Sequence, residues 1–499
     1  MTVYNVNLGI GWASSGVEYA QAYRNKIFKK LDIPAKFIFS DLILDTNIEN
    51  LTRNLGFSDQ DIIWLYNFFT NVKIAPTSYK LSKLEQNLKF DNYTKTIKNN
   101  QVFFTYNHMQ IIARLNNLHE QTIDEVSYLI NKKLVKRDFY SYVKYAREYY
   151  SDNQVIMREF YNEDASIAYT QHLNGQNELF EFPDQRIFYS KNELYLEMIK
   201  RLHLSENDFV IMDREDEQKN LLNGQLFFRY HNPAKLLVVV HAEHYDHAFA
   251  NPNEILWNNF YEYQFTHSSE VTSYIVATPT QKDILAKQFK KYYRITPRID
   301  CIPVGHMPNS IRSQKRKPFS LITASRLAPE KHVDWAIKAV ILAHKSQPKI
   351  TFDIYGQGNS APLEKIIKDA HAESYIHLMG QQDLTNIYQN YEAYLSASTS
   401  EGFGLSLMEA VNSGLAMVGF NVPYGNTTFI KNAQNGYLVD YNLNWNEADK
   451  IQMLARAIVK LFDKDLNQYH DCSYKIAAGY LTDNVAKKWQ KMLGDLRND

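Results

Sequence analysis

The stretch STSEGFGLSLMEAVNSG, residues 398–414, places Glu401 before a small-residue turn and Glu409 within the apolar helix that follows. Gly402 and Gly404 allow a backbone to approach a ligand closely. The N–H groups of Gly402, Phe403, Gly404 and Leu405 would face whatever docks there, and the helix dipole favours an anion. Two carboxylates would repel a phosphate, yet both can grip hydroxyls. A sugar on one side of a phosphate and a ribose on the other satisfy that order, so the segment fits a sugar nucleotide. Spacing alone fits a helix start with two solvated glutamates equally well.

Other residues narrow the choice. SRLAPEKHVDWAIKA puts Arg326 and Lys331 after the strand text SLITAS. An arginine fork and a lysine point charge at a strand's carboxyl edge can hold a diphosphate. Gly356 and Gly358 in IYGQG mark the next strand end, a pattern that any tight turn can show. SSGVEYA supplies a second glycine turn, with Gly16 at a helix start and Ser14 or Ser15 as its cap. VVVHAEHYDH ends a buried strand in His241, His244 and His247. Their spacing is helix-like and lacks the carboxylate cluster of a zinc site, so His241, directly at the strand end, is the functional candidate. Asp59-Gln60-Asp61 and Asp463-Lys464-Asp465 could hold a divalent cation on a diphosphate. Neither follows a buried strand. The first reads as a helix N-terminus capped by Ser58, the second as helical text, and both read as structural.

The elements that must carry these residues have a readable grammar. VYNVN, a Gly/Ser turn, a helix over SSGVEYAQAYRNKIFKKL and the strand PAKFIFSDL form a βαβ opening. From about 45 to 205 the text changes. FSDQDIIWLYNFFTNV reads as helical. QVFFTYN, QVIMREFYN, SIAYTQHL, ELFEFP and RIFYS then read as short strands of an antiparallel meander. DFVIMD and AKLLVVVH restore the continuous apolar runs of buried parallel strands. SQKRKP, 313–318, is a polar linker. A second α/β unit follows, and the text from about 449 is helical. The expected fold class is therefore α/β, two doubly wound Rossmann-like domains facing a cleft with an inserted β-meander. The expected domains are 1–45 with 205–312, to which the helix 475–499 can pack back, 46–204 as the insertion, and 313–474.

Composition bounds the function class. Lys plus Arg and Asp plus Glu both number 55, so no net charge argues for a nucleic-acid tail. The cations of KQFKKYYR, 287–294, read as a solvated helix face. Two cysteines, Cys301 and Cys472, suggest neither a disulfide framework nor a zinc site. The N-terminus lacks the basic and apolar regions of a secretory signal, and no run approaches the ~18 apolar residues that span a bilayer. The simplest reading is a soluble, cytoplasmic protein, with peripheral contact to the cytoplasmic face of the membrane left open.

With these residues assembled, the chain resembles the retaining glycosyltransferases of the two-Rossmann GT-B type, family 4. The E-x7-E motif falls on Glu401 and Glu409, the Arg…Lys pair on Arg326 and Lys331, and the strand-end histidine on His241. The N-terminal glycine loop falls on Ser15-Gly16-Val17-Glu18, with serine where a first glycine is usual. NLGIGWASSGVEYAQAYR, VVVHAEH and the meander are similar to the catalytic subunits of the accessory-secretion glycosyltransferase pairs of Gram-positive bacteria. That resemblance implies transfer of N-acetylglucosamine from UDP to serine or threonine of a serine-rich repeat adhesin, in a heteromer with a paralogous non-catalytic subunit bound through the meander. It implies catalytic roles for His241, Glu401, Arg326 and Lys331. Donor contacts would come from Gly16, Val17, Glu18, Tyr19, Gly402, Phe403, Gly404, Leu405 and Glu409, with uracil near Asp383 and Leu384. No metal and no cofactor beyond the UDP-sugar are expected. Wall-teichoic-acid N-acetylglucosamine transfer, glucose as the sugar, sugar-nucleotide epimerisation and a non-catalytic adhesin-binding scaffold stay open at this point.

Overall fold

The structure is a computed structural model of the 499-residue chain and describes residues 1–7, 9–11, 16–88, 92–213, 223–246, 249–312 and 315–498. Ser14 and Ser15, expected as helix caps, and His247 lie outside the described residues. Packing divides the chain into two compact units. The first is Met1–Asn25, Ile33–Leu237 and Ser269–Val271; the second is Lys26–Asp32, Val238–Ser268 and Thr272–Asp499. Among the described residues no helix is long and apolar enough to cross a membrane.

In the first unit the strands Phe209–Met212, Val3–Asn7, Ala35–Phe39 and Ile62–Trp64 run side by side in that order, all parallel. Val3 lies opposite both Phe209 and Ala35, and Phe37 opposite Ile62. Chain order reverses between Val3–Asn7 and Phe209–Met212, the switch point at which doubly wound sheets bind ligands. The helix Gly16–Lys30 follows the first of these strands. Its hold on the second is polar and buried: Gln21 Nε2 donates to Asp213 at 2.6 Å and the Arg24 guanidinium at 2.6 and 2.7 Å. Removing either partner would leave a buried charge uncompensated.

The FSDQDIIWLYNFFTNV stretch corrects the expectation of a long helix. It forms a 3-10 turn at Asp59–Asp61, the strand Ile62–Trp64 and only one helical turn at Leu65–Phe68. Ile-Ile-Trp pairs with Phe37–Phe39, and the ladder's hydrogen bonds override the helical periodicity. Ser58 stands at the cap position without a side-chain cap bond.

The antiparallel sheet is larger than the text suggests. Ten strands from Thr94–Lys98 to Ile187–Phe188 pair in strict chain order. Missing from the expectation were Thr94–Lys98, Met109–Asn117, Thr122–Ile130, Lys133–Tyr140 and Lys144–Ser151. Several of these alternate charge with aromatic residues, and their polar positions pair across strands. Arg114 bonds Asp124 at 2.9 Å, Arg147 bonds Asp138 at 2.5 Å, and Arg158 bonds Glu148 at 2.8 Å. Tight turns such as Asn131-Lys132 and Asp152-Asn153 have both central residues at positive φ, the geometry that matches strand twist. Tyr66, Phe160, Tyr169 and Phe182 stack in series, with centroids 5.6, 4.6 and 5.1 Å apart.

The second unit holds a six-stranded parallel sheet in the order Ile376–Gly380, Thr351–Tyr355, Ser320–Ala324, Ala393–Ser396, Ala416–Phe420, Gly436–Val439. Alternate residues feed two cores. Leu321, Leu395 and Val418 pack against the helices Val333–Ser346 and Glu447–Phe462. Ile322, Tyr394 and Met417 pack against the helix Leu405–Asn412. Here the switch point falls between Ser320–Ala324 and Ala393–Ser396. The loops that leave those two strands carry Arg326, Lys331 and Glu401. The same unit contains the end of the strand Lys235–Val240, the parallel pair Ser273–Val276 and Ile299–Cys301, and the helices Asn259–Thr266 and Pro279–Gln288. The last helix, Thr482–Asn498, buries Val485, Trp489, Met492, Leu493 and Leu496. Trp489 meets Phe28 edge-on at 5.2 Å, and Asp483 pairs with Lys30 at 2.5 Å.

Candidate active site

The helix Leu405–Asn412 exists because Leu407, Met408, Ala410 and Val411 line one buried stripe. Burial of each large member stabilises by about 1.5–3 kcal/mol. Gly404 occupies the cap position at φ +80°, where an added Cβ would lie 2.6 Å from Leu407 Cδ1. No side chain caps this helix start. The backbone amides of its first turn therefore face outward from a glycine, as an anion site requires.

Glu401 is held from three directions. Its carboxylate accepts from Lys331 Nζ at 2.6 Å, and both side chains are mostly buried. Its carbonyl accepts from the N–H groups of Tyr424 at 2.7 Å and Gly425 at 2.9 Å. Gly425 leaves no room for a side chain, since a Cβ would sit 2.5 Å from the Phe403 carbonyl. Lys331 stands in a 3-10 turn, Pro329–Lys331, beside which Thr399 N–H donates to the Glu330 carbonyl at 3.2 Å. The two switch-point loops are thus stitched together.

Gly402 brings His241 into the same place. A Cβ on Gly402 would be 2.5 Å from the His241 carbonyl oxygen and 3.6 Å from Ala242 Cα. Two residues earlier, Ser400 Oγ donates to Glu243 Oε2 at 3.1 Å. On the His241 side, the N–H groups of His241 and Ala242 both donate to Tyr261 Oη, at 2.9 and 3.1 Å. Gln281 Nε2 donates to the Ala242 carbonyl at 2.9 Å.

His241 and His244 differ. His244 is fully buried, its Nε2 paired with Gln288 Oε1 at 2.7 Å and its Nδ1 with Tyr424 Oη at 3.1 Å. Both ring nitrogens are committed, so it is a structural residue. His241 is half-buried against the Gly402 loop.

Arg326 and Lys331 also separate. Lys331 is inside, on Glu401, whereas Arg326 is 78% exposed and pairs with Glu330 at 3.2 Å. Gly356 and Gly358, both at φ +151°, prove to be packing residues. A Cβ would lie 1.8 Å from the Ser325 carbonyl and 2.7 Å from Leu327 Cβ, so they let the neighbouring loop pass.

Farther along the helix, Glu409 is half-buried, and burial pushes its carboxyl up to about 7. The Tyr388 hydroxyl lowers it, and the charge of Asp383 raises it further. Asp383 itself accepts from Thr385 Oγ1 at 2.6 Å and Thr385 N–H at 3.0 Å, donors that hold it below the usual range. Asp383 and Glu409 therefore share one electrostatic neighbourhood. Leu384 packs against the core beneath them, and Phe403 packs against Phe429 and Tyr480 at 5.2 and 5.9 Å. Phe403 offers its backbone alone. Gly16, Val17, Glu18 and Tyr19 form the first turn of Gly16–Lys30 in the other unit, with Gly16 in open space and Tyr19 exposed.

Sequence patterning did not single out Glu243, Tyr261 or Tyr424. Tyr261 lies in ordinary helical text. Tyr424 follows a proline and precedes a glycine, a turn signal with no chemistry attached.

Comparison with known proteins bears on this geometry. Residues 308–477 match the family described as glycosyl transferases group 1, and residues 92–184 match the GtfA extended beta-sheet domain. The chain is 55% identical to the UDP-N-acetylglucosamine--peptide N-acetylglucosaminyltransferase GtfA subunit of Limosilactobacillus reuteri subsp. suis, with all of both chains covered. A crystal structure of a GtfA/B complex is similar with TM-score 0.95 and 45% identity, over 100% of each chain. The pneumococcal O-GlcNAc transferase GtfA in complex with UDP and GlcNAc is similar with TM-score 0.91 and 44% identity, over 100% of this chain and 99% of the other.

Proposed function

We propose, from the premise that this chain belongs to the GtfA-subunit family of UDP-N-acetylglucosamine--peptide N-acetylglucosaminyltransferases, that it moves N-acetylglucosamine from UDP to serine or threonine of a serine-rich repeat adhesin, as the first step of its O-glycosylation. The chain has the two-Rossmann GT-B fold with an added antiparallel sheet. The observation that carries the reading is the meeting, at the switch point of the six-stranded sheet, of the Lys331–Glu401 pair with the backbone of His241 and Ala242 through Gly402.

Each residue then has a task. As the bond to UDP breaks, negative charge grows on the leaving diphosphate and must be met by fixed positive groups. Lys331 supplies one from inside the site, Arg326 supplies a fork from its exposed rim, and the amides of Gly402–Leu405 supply dipoles. Glu401, steadied by Lys331, orients the sugar hydroxyls. His241 faces the donor sugar and supports the charge near its anomeric carbon. Glu409 takes the ribose hydroxyls, with uracil over Asp383 and Leu384. The turn Gly16, Val17, Glu18 and Tyr19 completes the donor contacts. The leaving phosphate takes the acceptor's proton as the acceptor oxygen bonds to the same face of the sugar, which retains configuration without a covalent enzyme intermediate.

The reading assigns residues 46–204 to acceptor and partner, 1–45 with 205–312 to the acceptor-side lobe, joined by 475–499, and 313–474 to the nucleotide-sugar lobe. The partner is a paralogous GtfB-like subunit bound through the antiparallel sheet. Nucleotide sugars are cytoplasmic metabolites, which puts the reaction on the cytoplasmic side of the membrane. The charge scheme uses no divalent ion: Asp59–Asp61 lies in a 3-10 turn before a strand, and Asp463 and Asp465 follow the helix Glu447–Phe462. EDTA should leave transfer intact; loss restored by Mn²⁺ would overturn the scheme.

The test is mass spectrometry of a Ser/Thr-rich peptide after incubation with UDP-GlcNAc or UDP-glucose, with and without the partner subunit. Mass gains of N-acetylhexosamine are expected. Hexose gains, or modification of a polyol-phosphate polymer in place of peptide, would replace the donor or acceptor assignment.

A further inference from the structure

Two buried tyrosines outside the donor contacts fix the two backbones that the reaction depends on. Tyr261, on the helix Asn259–Thr266, is fully buried, and its hydroxyl oxygen accepts from both His241 N–H and Ala242 N–H. These are the first two amides beyond the strand Lys235–Val240, where ladder bonding ends and a backbone would otherwise be free to adjust. Tyr424 is 1% exposed and acts at both ends of its own residue. Its N–H donates to the Glu401 carbonyl at 2.7 Å. Its hydroxyl pairs with His244 Nδ1 at 3.1 Å, and the rings stack with centroids 5.7 Å apart.

His244 can accept that hydroxyl proton because its other nitrogen donates to Gln288 Oε1 at 2.7 Å, which selects the tautomer. The chain of contacts therefore runs Gln288, His244, Tyr424, Glu401. It begins on the helix Pro279–Gln288 and ends on the backbone carbonyl of Glu401, the residue whose carboxylate pairs with Lys331. A parallel, more exposed link joins Glu243 to Ser400. Between these links Gly402 touches the His241 carbonyl with no space for a methyl group.

We propose that Tyr261 and Tyr424 are positioning residues that set His241 and Glu401 at a fixed separation and angle. Tyr261 acts through the His241 backbone, and Tyr424 acts through Glu401. The inference rests on the transfer reaction proposed above. Its physical basis is that a near-attack geometry is sensitive to shifts of about 1 Å, which can cost ~100-fold in rate. Removing a hydroxyl leaves its partners unpaired, which lowers stability without removing the buried ring that fills the core. The phenylalanine variants should therefore fold while transferring slowly.

The experiment is a pair of double-mutant cycles on full-length protein with its partner subunit, assayed with UDP-GlcNAc and a Ser/Thr-rich peptide. Tyr424→Phe should lower kcat about tenfold, with the donor KM changed less than about threefold. In a Glu401→Gln background the same change should cost less than about twofold, because the residue it positions is already disabled. Tyr261→Phe should behave likewise against His241→Ala. His244→Gln keeps a donor towards Gln288 and removes the acceptor of the Tyr424 hydroxyl. It should match Tyr424→Phe and add nothing to it. Thermal melts normalise each rate to folded protein, which separates positioning from loss of fold. Full activity in Tyr424→Phe and Tyr261→Phe, or losses that multiply in the double variants, would overturn the inference while the transfer reading stands. Absence of wild-type turnover with UDP-sugars would overturn the transfer reading and this inference with it.

Discussion

Glu401 precedes one short helix and Glu409 lies within it, yet their surroundings oppose each other. Glu401 sits on a cation at 2.6 Å and has its carbonyl tied down by two N–H groups. Glu409 meets a tyrosine hydroxyl and the field of another carboxylate, and burial pushes it up to about 7. The same residue type thus becomes a positioned, cation-paired carboxylate before the helix and a proton-sensitive acceptor within it. Environment, not spacing, assigns the two tasks.

The contrast can be broken at its stronger end first. Glu401→Gln strands Lys331 without its partner and removes the sugar-facing carboxylate, so transfer should fall about 100-fold or more. A steady-state assay on the glycopeptide product checks this, and near-normal turnover would contradict the scheme. Gly402→Ala tests the packing against His241. Its methyl group must displace a backbone carbonyl 2.5 Å away, and kcat should drop on the order of tenfold or more. Gly494→Ala, in the helix Thr482–Asn498, meets nothing within 4 Å and is the steric control, expected to change kcat by less than about threefold. Arg326→Ala follows in size. Its exposed pair with Glu330 should contribute less than about 0.5 kcal/mol, so the melting temperature should hold while transfer drops. A coupled fall in both would make Arg326 a structural residue.

The gentlest probe addresses Glu409 by pH. Ribose hydroxyls need an acceptor, so donor KM should rise as pH falls below about 7, and Glu409→Gln should flatten that profile. Stability runs the other way. The folded state holds this proton more tightly than the unfolded chain does, so the group's contribution is fully present below the unfolded value near 4.5. It is lost as pH rises through about 7. Denaturant melts of the wild type and Glu409→Gln across that window measure the difference, and identical pH slopes would refute it.

Legibility in the sequence followed how local each signal was. Buried parallel strands such as Lys235–Val240 and Ala416–Phe420 are continuous apolar runs and read themselves. The helix Leu405–Asn412 and its glycine start were readable for the same reason. Ile62–Trp64 was not, because three residues gain strand character only from the neighbour they pair with. Half of the antiparallel sheet was hidden by its own ladder. Lys133–Tyr140 and Lys144–Ser151 carry charges inward to cross-strand partners, so the apolar alternation that marks a strand is diluted. At the site, residues with charge or glycine freedom announced themselves. Tyr261, Tyr424 and Glu243 act through backbone groups or hydroxyls brought near by folding, and no spacing rule points to them. Lys331 was legible as a cation, but its choice of Glu401 over the solvent shared by Arg326 required coordinates.

The ten-stranded sheet is open, so it has two rims of unpaired amides and carbonyls, a template on which copies could stack without limit. One rim, Ile187–Phe188, is only two residues long. The other, Thr94–Lys98, is exposed throughout and carries Lys95 and Lys98. Shortness at one border and positive charge at the other discourage runaway self-pairing. The chain can therefore keep a broad open sheet without closing it into a barrel.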